Sequence, residues 1–523
     1  MKMVVRTLIK PAEYHDSVSL MLAARELTNF EGVHDAAVVM ATQANLSILA
    51  EAGLLSEEAE TSSPDDLLIA VKCESDALAI AALAKAEALL KKKTGGGEGS
   101  EYTPKTMRSA LAANPGVNLA VISVAGRFAA DEAWEALHHG LHVLLFSDNV
   151  SLEDEIALKT YARQHGLLLM GPGAGTAILN HVALGFANVL PEGPVGIISA
   201  AGTGLQEVSC LLARQGVGIT QGIGTGGRDL RKEVGGIMML ESVKALQQDP
   251  ATRVLVLVSK PPDPAVANSI LSQVVQSKKP SMICFLGGDD ADRTKIPHIT
   301  YAHTLQECAL YAARAVKPEL GEVKEYLAKD ATQLAHQAGE LRKQLSPKQR
   351  YLRGLFSGGT LCYEAQVIWK DMRINPVYSN APLPGGLTLA DSTRSQGHTA
   401  IDLGEEEFTV GRPHPMIDND LRIRRLLQEA SDPQTALILL DVVLGYGAHP
   451  DPAGELSRAV SAARELAHKE GRELAVAASV TGTEADPQCL SRSTSVLTQA
   501  GVMVCESNAQ AARLAGMIIA DRG

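Results

Sequence analysis

The stretch VGIISAAGTGLQEVSC (195–210) is answered further along by RGLFSGGTLCYEAQVI (353–368). Each is an aliphatic run that ends in a serine, Ser199 or Ser357, turns through small residues and glycine, and then brings in a glutamate, Glu207 or Glu364. A short aliphatic run bounded by glycine reads as a buried strand. A strand that turns through glycine straight into a helix opens a βα unit. A second pair follows in the same order. LQQDPATRVLVLVSK (246–260) matches LQEASDPQTALILLDVVLG (427–445) through the anchors Asp249-Pro250 and Asp432-Pro433. Two ordered matches predict a duplicated fold, with a longer insertion near 372–400 in the second copy.

Upstream the same rhythm continues. VNLAVISVAG (117–126), HVLLFSDN (142–149) and LLLMGPGAGT (167–176) are strands ending in small or polar turns, with helical sequence between them. Strands that alternate with helices form parallel sheets, and ligands of such sheets sit at the carboxyl ends of the strands. Residues 1–93 read as a small α/β unit, and TGGGEGS (94–100) has linker composition. The expected organisation is therefore an N-terminal α/β domain (1–93), a Rossmann-like CoA-binding-type domain (101–193) and two flavodoxin-like domains with parallel sheets (194–316 and 348–523). A polar helical connector, 317–347, joins the last two.

Composition agrees with a multidomain α/β chain. Of 523 residues, 46% are hydrophobic but only 4% aromatic, so the cores must be aliphatic, as in sheets buried on both faces. The net charge of −12 argues against a nucleic-acid or anionic-membrane surface. No apolar run is long enough to span a bilayer, and Arg6 and Lys10 break the first apolar stretch, so the sequence reads as cytoplasmic. Seven scattered cysteines read as reduced core thiols, and no motif suggests a metal site.

The glycine turns carry the chemistry. A helix N-terminus offers free N–H groups and the positive end of the helix dipole, and so binds phosphate or carboxylate. Two such ends are read, at Gly202-Thr203-Gly204 and at Gly358-Gly359-Thr360, with the copies placed so that both face one anion. Arg228, beside Gly227, is the cationic candidate, its guanidinium suited to bidentate anion binding. His414, fixed between Pro413 and Pro415, is the candidate general acid or base. Gly445 and Gly447 lie at another carboxyl end, and Ser123, Ser147, Asn149, Gly171 and Pro172 line the rim of the upstream sheet.

The residues also carry a family resemblance. MGPGAGTAILN, VGIISAAGTGLQEV, GIGTGGRDL and KPSMICFLGG, in order, resemble the α subunit of succinyl-CoA synthetase. HTAIDLGEEEF and RRLLQEASDPQTALILLDVVLGYG resemble the C-terminal domain of its β subunit. The whole chain, from KPAEYHDSVSLM onward, resembles the FdrA family of acyl-CoA synthetase-like proteins. Three departures stand out. No Gly-His-Ala-Gly loop for a phosphorylated histidine occurs, and neither His298 nor His303 has the glycine neighbours of such a loop. The first glycine-rich CoA loop and an ATP-grasp domain are also missing. The resemblance implies a subunit of a carbamoyltransferase of the oxamate type, moving a carbamoyl group to phosphate in ureide catabolism. Such a subunit would act as a homo-oligomer together with other protein subunits. The alternative is an acyl-CoA synthetase acting with a separate nucleotide-binding subunit. The expected ligands are phosphate or carbamoyl phosphate at the helix ends, with coenzyme A at the rim turns.

Overall fold

The aliphatic runs become the central strands of two seven-stranded sheets in a computed structural model of the chain. The structure describes residues 3–520 apart from 93–103, 289–295, 410–412 and scattered positions between 14 and 57. The expected linker, 94–100, lies outside the described residues.

The first large sheet comprises β1 (Thr176–Leu179), β2 (Val182–Gly185), β3 (Glu192–Ser199), β4 (Ile219–Gly224), β5 (Val254–Ser259), β6 (Ser281–Phe285) and β7 (Ile299–Tyr301). Its order is β7-β6-β5-β3-β4-β1-β2, parallel from β7 to β4 and closed by the antiparallel β1–β2 hairpin. The second comprises β8 (Tyr351–Phe356), β9 (Val377–Ser379), β10 (Leu387–Thr388), β11 (His398–Asp402), β12 (Thr435–Val443), β13 (Ala475–Thr481) and β14 (Met503–Cys505), ordered β10-β9-β11-β8-β12-β13-β14 and parallel throughout. Setting aside the extra edge strands, both sheets follow the flavodoxin-like order 2-1-3-4-5. The predicted duplication is thus present in the topology, and the 372–400 insertion supplies the edge pair β9–β10. Every residue of β5 and of β12 is buried, as expected for strands covered on both faces.

The two Asp-Pro anchors do the same work in each copy. Asp249 accepts N–H from Ala251 at 3.0 Å, and Asp432 accepts N–H from Gln434 at 2.9 Å. Each thereby closes the turn that feeds a central strand. Four helices matter below: α1 (Gly202–Arg214), α2 (Leu305–Val316), α3 (Gly359–Asp371) and α4 (Asn508–Ile519). A small parallel sheet, Leu119–Ile122, His142–Leu145 and Leu169–Met170, precedes them. The connector is the helix Val323–Gln344.

By its contacts the chain divides into two units, 1–115 with 406–414, and 116–405 with 415–523. The three regions expected after residue 100 therefore largely form one unit. The first unit holds the antiparallel sheet Val4–Lys10, Leu67–Cys73 and Val33–Met40, with Leu67–Cys73 central. Its core is aliphatic, built from Leu27, Leu67, Ile69, Val71 and the alanines of helix Asp76–Lys92. Among the described residues, no helix is long and apolar enough to cross a membrane.

Candidate functional site: a junction of two helix starts

Ser199 makes the first turn. Its hydroxyl accepts N–H from Ala201 at 3.0 Å and donates to the Ala201 carbonyl at 2.7 Å, which folds the chain out of β3 into α1. The main-chain N–H groups of Gly202, Thr203 and Gly204 then point onward with no hydrogen-bond partner among the described residues, the ordinary state of a helix first turn. Gly202 is exposed. The start of α3 lies directly against that of α1. A Cβ on Gly358 would fall 2.9 Å from Thr203 Cγ2, and one on Gly204 would fall 3.0 Å from Thr360 Cγ2. Glycine stands at both positions because the two turns touch.

The two helix starts are not equivalent. Asp441, on β12, accepts N–H from Ser357 at 2.7 Å and from Gly358 at 2.8 Å, and the Ser357 hydroxyl at 3.0 Å. Arg422 pairs with the same carboxylate at 3.1 Å. The entry to α3 therefore already holds an internal anion. Counted from the Asp-Pro anchors, the first copy has Val258 where the second has Asp441, and Val258 Cγ1 lies 3.0 Å from where a Gly204 Cβ would stand. An apolar side chain cannot accept from α1, so the dipole of α1 stays open to an outside anion.

Two further groups, unremarked in the sequence, close the site. Asp402 ends β11 and is 2% exposed. Its Oδ1 accepts N–H from Gly404 at 3.0 Å, while Oδ2 lies 2.5 Å from where a Gly359 Cβ would stand. Burial pushes its carboxyl up to about 7, against the pull of nearby Lys260. Lys260 follows β5, with Nζ 3.7 Å from the same Gly359 point and 5.6 Å from the centre of the Tyr363 ring. Both sit at carboxyl ends of parallel strands, where the topology puts ligands. That position was the available signal for them. Beyond Tyr363 opens a cavity of about 260 Å³ lined by Pro261, Gly287, Gly288, His303 and Lys370 among others.

The other predicted residues fall elsewhere or take different roles. Gly227 joins the junction, 3.9 Å from the Ala200 carbonyl by its Cβ direction. Arg228 is committed to Glu155 at 2.8 Å and to the Val150 carbonyl at 2.8 Å. Glu155 in turn belongs to a fully buried cluster in which Lys159 binds Glu155 and Asp229, each at 2.8 Å. The guanidinium therefore ties helix Leu152–Gln164 to the 225–229 turn, while Lys260 lies at the junction. Gly445 and Gly447 serve close approach: Tyr446 pairs with Ala187, and a Gly445 Cβ would stand 2.5 Å from the Ala187 carbonyl oxygen. His414 groups with the first unit, and burial pushes its imidazole down to about 4, so it is neutral at pH 7. The rim turns do come together. Ser147 Oγ accepts N–H from Val124 at 2.9 Å, Gly173 donates to the Ser147 carbonyl at 3.0 Å, and a Gly126 Cβ would meet Asn149 Cβ at 2.8 Å. Ser123 is exposed on that rim, and Gly171 packs on the Leu145 carbonyl.

Comparison with known proteins bears on this geometry. Residues 355–518, which hold α3, Asp402 and Asp441, match the CoA-ligase family model. Over 515 residues, 98% of both chains, the sequence is 42% identical to the uncharacterized protein YahF of Escherichia coli K12. The chain belongs to the YahF family. Part of the chain is also similar to a CoA ligase subunit. The α subunit of the ADP-forming succinate–CoA ligase of Methanothermobacter thermautotrophicus is 27% identical over 178 residues, 34% of this chain and 59% of that subunit. The chain thus spans under two thirds of that subunit's length. Among solved structures, PH0766 from Pyrococcus horikoshii OT3 aligns over 77% of this chain and 83% of its own, with 15% identity and a TM-score of 0.32.

Residues 3–105 match the family model described as AllF, heavy metal-associated domain. Among the described residues no group of three or more His, Cys, Asp or Glu is placed to hold a metal. Cys73 sits in the aliphatic core, where burial raises its thiol.

Proposed function

We propose that the chain is an acyl-CoA synthetase-like subunit in which the junction of α1 and α3 holds the phosphate of an acyl phosphate. The observation that supports this most is the asymmetry of the junction: α1 is open, while Asp441 closes α3. The open amides orient phosphate, Lys260 supplies the full positive charge, and coenzyme A as substrate takes the rim of the small sheet. In the forward step a phosphate oxygen attacks the thioester carbonyl of an acyl-CoA. The carbon–sulfur bond breaks, the thiolate leaves and takes a proton, and acyl phosphate remains. A separate nucleotide-binding subunit would then consume the acyl phosphate, since this chain carries no histidine loop of the Gly-His-Ala-Gly kind.

The same loss of the histidine loop favours a second reading, transfer of a carbamoyl group to phosphate, which needs no phosphohistidine. One assay separates the two. The purified chain is incubated with phosphate and short acyl-CoAs, and free thiol is followed; in parallel, phosphate-dependent carbamoyl transfer from oxamate-type ureides is measured. Phosphate-dependent thiol release supports the first reading. Carbamoyl phosphate without thiol release replaces it with the second.

A further inference from the structure

The buried carboxyl at this junction has a use that anion binding alone does not give it. We propose that Asp402 is the proton-carrying group of the junction: it takes up a proton when an anion docks at the start of α1 and presents it to that anion as an O–H donor. The inference deepens the proposed function and rests on the junction being the anion site.

Asp402 lacks a full set of hydrogen-bond donors. It is 2% exposed, yet only Oδ1 receives a hydrogen bond, from Gly404; Oδ2 has no partner among the described residues. A buried ionised carboxylate is costly unless its oxygens are supplied with donors. Asp441, two strands over on the far side of β8, shows the supplied case, with three donors and Arg422. Oδ2 of Asp402 is instead directed at Gly359, where α1 and α3 meet.

The charged groups around Asp402 decide which form it takes. Lys260, from the end of β5, favours the ionised form. Glu405 in the following turn and Asp441 on β12 oppose it. Cys362 of α3 keeps its proton, since burial raises its thiol well above the ordinary value. Arg422 is engaged by Asp441. With burial added, the balance leaves Asp402 titrating at about 7 when the site is empty, so that it is largely ionised at pH 8. An anion bound at α1 adds one more negative charge within the same enclosure, and so drives Asp402 to the protonated side. A carboxyl held neutral in this way donates to an anion that its ionised form would repel. In acyl transfer the same proton is available to the leaving thiolate.

The probe is sulfate, a tetrahedral dianion with no titratable proton near neutral pH. Calorimetric titration at pH 8 in buffers of different ionisation enthalpy reads proton uptake on binding. Wild type is expected to take up most of one proton per sulfate, and Asp402→Asn to bind sulfate without uptake. Sulfate binding with no uptake in wild type overturns the inference and leaves the anion site standing. No sulfate heat overturns both. An infrared titration of the ligand-free protein guards against a variant that does not fold. A protonated-carboxyl band should titrate near neutral pH and move to higher pH in Lys260→Met; if it stays where it is in that variant, the assignment to Asp402 fails.

Discussion

The Glu207 carboxylate, on the first helix of the first repeat, accepts the main-chain N–H of Asn508 at 2.9 Å, at the start of the last helix of the second repeat. Glu364 does the reverse: it accepts N–H from Leu305, at the start of the last helix of the first repeat, at 2.7 Å. Each repeat caps the other's final helix, and Asn508 Nδ2 joins the pair by donating to Glu364 at 2.8 Å. The glutamates that mark the duplication in sequence are therefore what lock the two copies together.

That lock should depend on pH. Burial pushes Glu364 up to about 7 from an ordinary 4.5, and Glu207 is raised for the same reason. The native state then binds more protons than the unfolded chain between those values, so the Glu364 contribution is full below pH 4.5 and declines as pH rises through 7. Glu364→Gln cannot ionise. Its destabilisation relative to wild type, measured by urea unfolding, should shrink between pH 4.5 and 7.5 by on the order of 3 kcal/mol. A constant difference across that range contradicts this.

His398 should act in the opposite sense. Burial and the nearby Arg353 guanidinium push its imidazole down to about 4, and its Nδ1 accepts N–H from Leu352 at 3.2 Å. Its stabilising contribution is present above the ordinary 6.5 and is lost as pH falls toward 4. His398→Asn keeps an acceptor and removes the titration. The variant should lose less stability than wild type between pH 6.5 and 4.5.

Asp441 should be expensive to neutralise. Asp441→Asn removes the charge that matches buried Arg422 and caps the entry to α3, and breaking such a pair costs ~3–5 kcal/mol. Chemical denaturation reads the loss directly.

Arg228→Ala separates the structural arginine from the anion site. It leaves Glu155 Oε2 without its donor while Oε1 stays paired with Lys159, and should lower stability by about 1–3 kcal/mol. Phosphate affinity should not change.

Much of this was legible in the sequence. The βα repeats, the Asp-Pro anchors and the two glycine turns follow from local patterns that the topology preserves. The convergence of Gly202-Thr203-Gly204 with Gly358-Gly359-Thr360 was also readable, because duplicated sheets place like turns on like edges. What was not readable was which charge meets which. Arg228 stands in a glycine turn and looks free, but Glu155, distant in sequence, claims it. Asp402 and Asp441 end or sit within runs that read as strand, and a lone aspartate there carries no periodic signal. Their roles depend on the pairing of β8 with β11 and β12, which only the folded sheet fixes.

The proposed function requires an anion at the open start of α1. A side chain at Gly202 meets only Thr176 Oγ1, at 3.4 Å, so Gly202→Val should fold while covering the free amides. Calorimetric titration of phosphate into wild type and Gly202→Val tests this most directly. Wild type is expected to show a single site that is weakened about tenfold or more, ~1.4 kcal/mol, in the variant. Equal affinity in the two proteins would place the anion elsewhere and contradict it.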